Sequence, residues 1–282
     1  MKLGLSTPVV MRVPGMASSW EADGTAADLA LIASAADELG YEFLTCAEHV
    51  AVPAPDARGR GDTYWDPAAT LGFLAAHTSR IRLATSVLVL GYHHPLKIAK
   101  QYGTLDRLSG GRVVLGVGVG SLEAEFDLLG ASFADRGARA DDAMRALRAA
   151  LGQREPSYAG EFFEFSGMSV NPWAQQGRMP MWVGGRTRRS LRRAVELGEG
   201  WMPFALAPDA LRSMLESISL PTGFEVVLAA GRPLDPGADP VGARRALDAL
   251  RHAGATSATC TVASGSARHY CEQLAQLQEL AS

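Results

Sequence analysis

Short apolar runs alternate with longer segments whose apolar residues recur at helical spacing, from one end of the chain to the other. Lys2–Thr7 is apolar and stops at Pro8, which predicts a first strand. Asp23–Leu39 sets Leu29, Ile32, Ala33, Ala36 and Leu39 on one helical face and ends at Gly40. Glu42–Ala47 predicts a second strand. Asp66 followed by Pro67 reads as an N-cap with proline in the first helical position, and Leu71 and Leu74 supply the buried stripe. Ile81–Val89 is almost uniformly apolar, as in a strand covered on both faces. From Pro95 a helix carries Leu96, Ala99, Tyr102, Leu105 and Leu108 before Gly110–Gly111, and Arg112–Val117 predicts strand four.

The second half repeats the scheme. Asp135 opens a helix to Leu151, and an aromatic, hairpin-like excursion spans Tyr158–Val170. Strands are predicted at Met181–Val183, Trp201–Phe204, Phe224–Ala229 and Ala258–Val262. Their helices follow at Thr187–Leu197, Pro208–Ile218, within Asp239–Ala253, and at Ser266–Leu280. Eight strands, each followed by a helix, predict an α/β protein folded as a (β/α)8 TIM barrel. It reads as a single domain over residues 1–282, with an insertion, Gly152–Met179, between helix four and strand five. An open doubly wound sheet would need fewer units, and no composition shift marks a linker.

A chain of 282 residues with 47% hydrophobic composition can fill one large core. The formal net charge of −3 offers no global attraction to nucleic acid or to an anionic membrane, so neither is expected as a partner. Cys46, Cys260 and Cys271 have no metal-binding spacing and read as reduced packing thiols of a cytoplasmic protein. The N-terminus lacks a signal-peptide pattern, and no apolar run approaches the roughly 20 residues that span a bilayer.

Barrels of this kind place their chemistry at the carboxyl ends of the strands. That rule selects Ser6 and Thr7; Cys46, Glu48 and His49; Thr85, Ser86 and Val87; Gly118, Gly120 and Ser121; Gly184, Gly185 and Arg186; and Trp201. The six histidines do not converge on these positions, so no metal centre is expected. No Gly-x-Ser-x-Gly elbow is present, and nothing pairs Glu48 with Glu123 or Glu125 in the manner of a glycosidase. The most informative stretch is Met181–Ser190, where an apolar strand enters two glycines and a basic helix with Thr187 in the N-cap slot. Exposed backbone N–H groups and the helix dipole would hold a phosphate there. Taken alone, the segment also fits a glycine turn before a solvated basic helix. A phosphate cradle beside an apolar mouth with few acid–base groups suits chemistry delegated to an organic cofactor.

These residues carry a family resemblance over essentially the whole chain. Glu48–His49, Arg82–Val87, Pro95–Lys100, Leu105–Arg112, Leu115–Gly120, Trp182–Gly185 and Gly198–Pro203 together resemble the luciferase-like monooxygenases, barrels that use FMN or the deazaflavin coenzyme F-420. The resemblance implies that Gly184, Gly185, Arg186 and Thr187 take the cofactor phosphate, and that Thr85, Ser86 and Val87 lie beneath the ring. It implies a non-proline cis peptide at Ser86–Val87, and room for a ribityl chain at Gly118 and Gly120. It places His49 at the ring as general acid/base or orienting donor. A hydrogen-bonded core histidine is the plainer reading of the same residue. Ser121 stands where some deazaflavin dehydrogenases carry a catalytic glutamate, so their sugar-phosphate chemistry is not expected, and Glu123 and Glu125 stay open.

The implied activity is hydride transfer between F-420 and a small organic substrate. The alternatives are an FMN-dependent monooxygenase and a non-catalytic flavin-binding protein. A homodimer is implied by the resemblance alone. The loops Val50–Tyr64, Gly91–His94, Leu122–Ala134 and Gly152–Met179 are expected to line the mouth.

Overall fold

In the computed structural model, which describes residues 1–281, each predicted strand is present, and neighbours in the chain are neighbours in space. The strands are β1 (Lys2–Ser6), β2 (Phe43–Cys46), β3 (Arg82–Thr85), β4 (Val113–Gly118), β5 (Met181–Gly184), β6 (Gly200–Met202), β7 (Glu225–Ala229) and β8 (Ser257–Cys260). All pair in parallel, and β8 returns to β1 in the register Leu3↔Ala258, which closes the barrel. Closure leaves no free sheet edge. The surrounding helices are α1 (Ala26–Glu38), α2 (Pro67–Ala76), α3 (Pro95–Ser109), α4 (Arg136–Ala150), α5 (Arg188–Leu197), α6 (Pro208–Glu216), α7 (Pro240–His252) and α8 (Ala267–Ala281).

Local chemistry explains most helix starts. Asp66 accepts from the Ala69 N–H at 2.8 Å with Pro67 behind it, and Asp239 accepts from Gly242 at 2.8 Å. Two expectations shift. The first helix begins after Thr25, whose hydroxyl accepts from Asp28 N–H, while Asp23 belongs to a preceding 3-10 turn. Asp135 stands at the start of α4 without capping it; its carboxylate instead accepts from Arg139 at 2.8 Å. The continuous strand expected over Ile81–Val89 is broken: the Ser86–Val87 peptide is cis, and a two-residue strand, Leu88–Val89, resumes against β4.

Alternation along each strand sends one set of side chains outward and one set inward. Leu3, Leu5, Leu44, Leu83, Leu115, Val183 and Cys260 join the helices in the large outer core. Phe43, Ala84, Val114, Trp182, Met202 and Val227 form a separate cluster inside the ring, with Val87 packed against it. Phe43 and Trp182 meet edge to face at 5.1 Å, and a Cβ on Gly4 would strike the Phe43 ring.

The amino end of the barrel is sealed by charge. Arg82 donates to both oxygens of Glu225, at 3.0 and 2.8 Å, pairs with Glu42 at 3.0 Å, and lies over the Trp182 ring. Trp182 Nε1 donates to the same Glu225 at 3.1 Å. Just outside, Arg112 donates to the carbonyls of Ala75, Thr78, Ile81 and Ser109, and buried Asp106 accepts from the backbone and side-chain nitrogens of Gln176. The Leu105–Arg112 motif therefore braces the end opposite the expected site.

The insertion reaches both ends of the barrel. Phe163 and Phe165 reach His94 at the start of α3, Asp142 of α4 accepts from the Phe162 and Phe163 N–H groups, and Trp173 and Gln176 end beside Arg107 and Asp106. Gly152–Met179 thus runs along the outside of α3 and α4, with its aromatic part beside His94 at the mouth end. Its last residues lie at the amino end, to which an α-to-β connection has to return.

Burial alone would raise the Glu225 carboxyl, but the hydrogen bonds and charge of Arg82 outweigh it and hold the group below its ordinary value. Such a carboxylate adds stability that is present above the unfolded-chain pKa and lost as pH falls through the folded one. Glu225→Gln is expected to cost about 1–3 kcal/mol at pH 7. In urea titrations the gap from the parent chain should narrow as pH falls through the ordinary carboxylate range and close only below the lowered pKa of the folded Glu225 carboxyl.

Candidate functional site at the barrel mouth

At the carboxyl ends the inward positions are small, and they are open. Ser6, Ser86, Val87 and Thr259 are partly exposed and Ala229 is exposed, although all stand at or just beyond strand ends within the ring. The basin contrasts with the sealed floor below it.

Two glycines, Gly118 and Gly184, flank Val87. A Cβ on Gly118 would stand 2.5 Å from Val87 Cγ2, and one on Gly184 would stand 2.8 Å from Val87 Cγ1. A Cβ on Gly120 would meet the Phe126 ring at 2.5 Å and Val89 at 2.8 Å. At Gly118 and Gly120 the absence of a Cβ therefore makes room for this chain's own Val87, Val89 and Phe126. Thr85 is fully buried and its hydroxyl donates to the Gly116 carbonyl at 2.7 Å, so only Ser86 and Val87 of that trio reach the basin.

The β5–α5 junction keeps the form expected of it. Gly185 has φ 134°, and a Cβ there would lie 2.7 Å from Ser190 Cβ, so the close approach to the helix start requires glycine. Thr187 and Ser190 cap each other: Ser190 N–H donates to Thr187 Oγ1 at 3.2 Å and Thr187 N–H donates to Ser190 Oγ at 3.1 Å. Trp201 Nε1 donates to the same Ser190 hydroxyl at 3.2 Å, fixing the turn from below. Arg186, Thr187, Arg188 and Arg189 are exposed, and the Arg186 guanidinium lies over Phe204 at 5.8 Å. The exposed helix start, with its donors and positive end, suits a phosphate.

His49 lies at the end of β2 with its side chain 20% exposed, enough to meet a ligand in the basin. Its Nδ1 stands 2.7 Å from Glu125 Oε2. Glu125 is 1% exposed and also accepts from Tyr92 OH at 2.9 Å and from the Val50 and Ala51 N–H groups at 2.6 and 3.2 Å. Burial first, then the hydrogen bond and charge of Glu125, push the Tyr92 phenol well up, so it remains a donor. The Tyr64 ring meets His49 edge-on at 4.5 Å, and its OH donates to the Arg60 carbonyl at 2.6 Å. A second pair lies alongside: Glu48 stands 2.6 Å from His93 Nε2 and accepts from Val89 N–H at 2.7 Å.

Tyr92 and His93 enter the sequence reading only within the Gly91–His94 loop, and the pairing of Glu125 escapes it. Glu125 rides on a short helix, Glu123–Leu128, too brief to show a helical period. The only signal for it is its place just after the strand-four glycines. Glu123, the other open candidate, is exposed in the first turn of that helix. Cys46 and Cys260 are buried in the outer core, where burial pushes both thiols up to about 12. The described residues hold no cluster of three or more His, Cys, Asp or Glu side chains able to bind a metal, and no helix long and apolar enough to cross a membrane.

Residues 1–233 match the family described as luciferase-like monooxygenase. An uncharacterised protein of Mycobacterium tuberculosis is 31% identical over 199 residues, which cover 66% of this chain and 68% of that protein. A monooxygenase from Streptomyces bottropensis superposes with a TM-score of 0.78 at 20% identity, over 99% of this chain and 98% of that one. An F-420-dependent secondary alcohol dehydrogenase in complex with an F-420–acetone adduct also superposes at 0.78, at 14% identity, over 100% of this chain and 99% of that one. At these identities the two superpositions speak for the fold.

Gly118→Ala should force Val87 aside and cost about 1–3 kcal/mol, read by thermal unfolding. Removing the obstacle in Gly118→Ala/Val87→Ala should recover part of that loss, a non-additivity expected of residues in contact.

Proposed function

Because the chain belongs to the luciferase-like monooxygenase family, we propose that it is an oxidoreductase that binds coenzyme F-420 in the barrel mouth and acts on a small organic molecule. The observation that carries this reading is one imidazole, His49, braced by a buried carboxylate at the rim of a basin of small neutral side chains. The basin offers the ring little beyond Ser86, Val87 and backbone, so binding and orientation are the chain's main contributions. Gly185, Arg186 and Thr187 hold the phosphate, with Gly184 below them supporting the turn. A bound deazaflavin supplies hydride transfer, whereas FMN would add reaction with oxygen. His49 holds or moves a proton at Nε2, the ring nitrogen with no protein partner among the described residues. The floor formed by Arg82, Glu225 and Trp182 excludes water from beneath.

FMN-dependent monooxygenation is the second reading, supported by the luciferase-like monooxygenase description of the family that residues 1–233 match. Fluorescence titration with each cofactor separates the two: saturable binding of F-420 with weak FMN binding supports the first, and the reverse overturns it. Oxygen uptake with reduced FMN would support the second.

Arg186→Ala should weaken cofactor affinity by about 10- to 100-fold, the worth of a charged contact to phosphate. Unchanged affinity in the same titration removes Arg186 from the phosphate site. His49→Ala should retain binding and lose turnover; intact turnover would point to a carrier or to another catalytic residue.

A further inference from the structure

Two buried carboxylates at the mouth, Glu48 and Glu125, lie next to imidazoles, and the hydrogen bonds around Glu125 fix more than its position. Glu125 Oε1 accepts from two backbone donors, Val50 N–H at 2.6 Å and Ala51 N–H at 3.2 Å. Glu125 Oε2 accepts from Tyr92 OH at 2.9 Å and stands 2.7 Å from His49 Nδ1. Three donors converge on the two Glu125 oxygens, the environment of an acceptor-only carboxylate, and against such a carboxylate the short contact is donated by Nδ1–H.

We propose that Glu125 is a positioning residue: it fixes His49 as the Nδ1–H tautomer, so that Nε2 turns a lone pair toward the mouth and accepts a proton there. The inference rests on the reading above only in taking the mouth as the working site. It deepens that reading by giving the ligand a chemistry, since a lone pair at Nε2 selects a molecule that presents an O–H or N–H group. The Tyr64 ring, 4.5 Å from the imidazole and tethered through its OH to the Arg60 carbonyl, blocks reorientation of His49. The logic is that of a carboxylate orienting the histidine of a serine-protease triad, reached here from the short helix after β4.

Glu125→Gln gives a sharp consequence. Val50 and Ala51 both donate to the Oε1 position, so the amide oxygen must stay there and the NH2 must face His49 and Tyr92. Facing a donor, Nδ1 becomes the acceptor and the hydrogen moves to Nε2. The substitution keeps the shape of the side chain and inverts the tautomer.

The test uses cofactor-free protein with 15N-labelled histidine. The neutral His49 signals of the parent chain should show Nδ1–H, and those of Glu125→Gln should show Nε2–H. Diethyl pyrocarbonate, which attacks an unprotonated ring nitrogen, should modify His49 of the parent chain at Nε2. It should react about tenfold more slowly with Glu125→Gln, the bias that one hydrogen bond of usual strength imposes. Tyr92→Phe leaves the His49–Glu125 contact in place and should keep the parent tautomer. An Nε2–H tautomer in the parent chain, or an unchanged tautomer and modification rate in Glu125→Gln, overturns the proposal. Should Glu125→Gln not fold, the parent chain's tautomer decides alone. Neither readout needs F-420, so failure of the cofactor assignment and failure of this one are separately visible.

Discussion

A carboxylate shut away from water is costly unless its oxygens find donors, and the rim of this barrel is organised around meeting that demand for Glu125. Its four partners come from two loops: His49, Val50 and Ala51 follow β2, and Tyr92 follows β3. Glu125 itself follows β4. One side chain thereby ties three successive β-to-α connections together at the end where ligands enter. Each oxygen takes two of these partners, so losing one costs a hydrogen bond to a charged group and loosens the loops as a set.

The second constraint is steric. The chain turns at Ser86–Val87 and drives Val87 into the ring, and only residues without a Cβ on β4 and β5 leave room for it. Gly118 and Gly184 thus shape the floor of the basin through what they allow Val87 to do. Below that layer, Phe43 and Trp182 fill the bore, and Arg82 with Glu225 closes it. A rigid, dry lower half supports an upper half lined by small side chains, the division of labour usual in such barrels.

Much of the family pattern serves this architecture rather than chemistry. Asp106 and Arg112 lie at the sealed end, holding the insertion and the turn before β4. Thr85 is locked onto the Gly116 carbonyl. The residues facing the basin are fewer: His49, Ser86, Val87 and the β5–α5 junction.

The sequence alone determined the barrel, because apolar periodicity and caps such as Asp66 and Thr187 are local signals that the closed sheet then satisfies. It determined the open glycine junction for the same reason, since Gly185 answers to a close approach only five residues away. It could not show that Glu125 meets His49, 76 positions earlier in the chain, nor that Gly118 makes way for Val87. Nor could it show that the insertion reaches from His94 at the mouth end to Asp106 at the other. Those relations join residues remote in sequence, and only strand register and the direction of each connection bring them together.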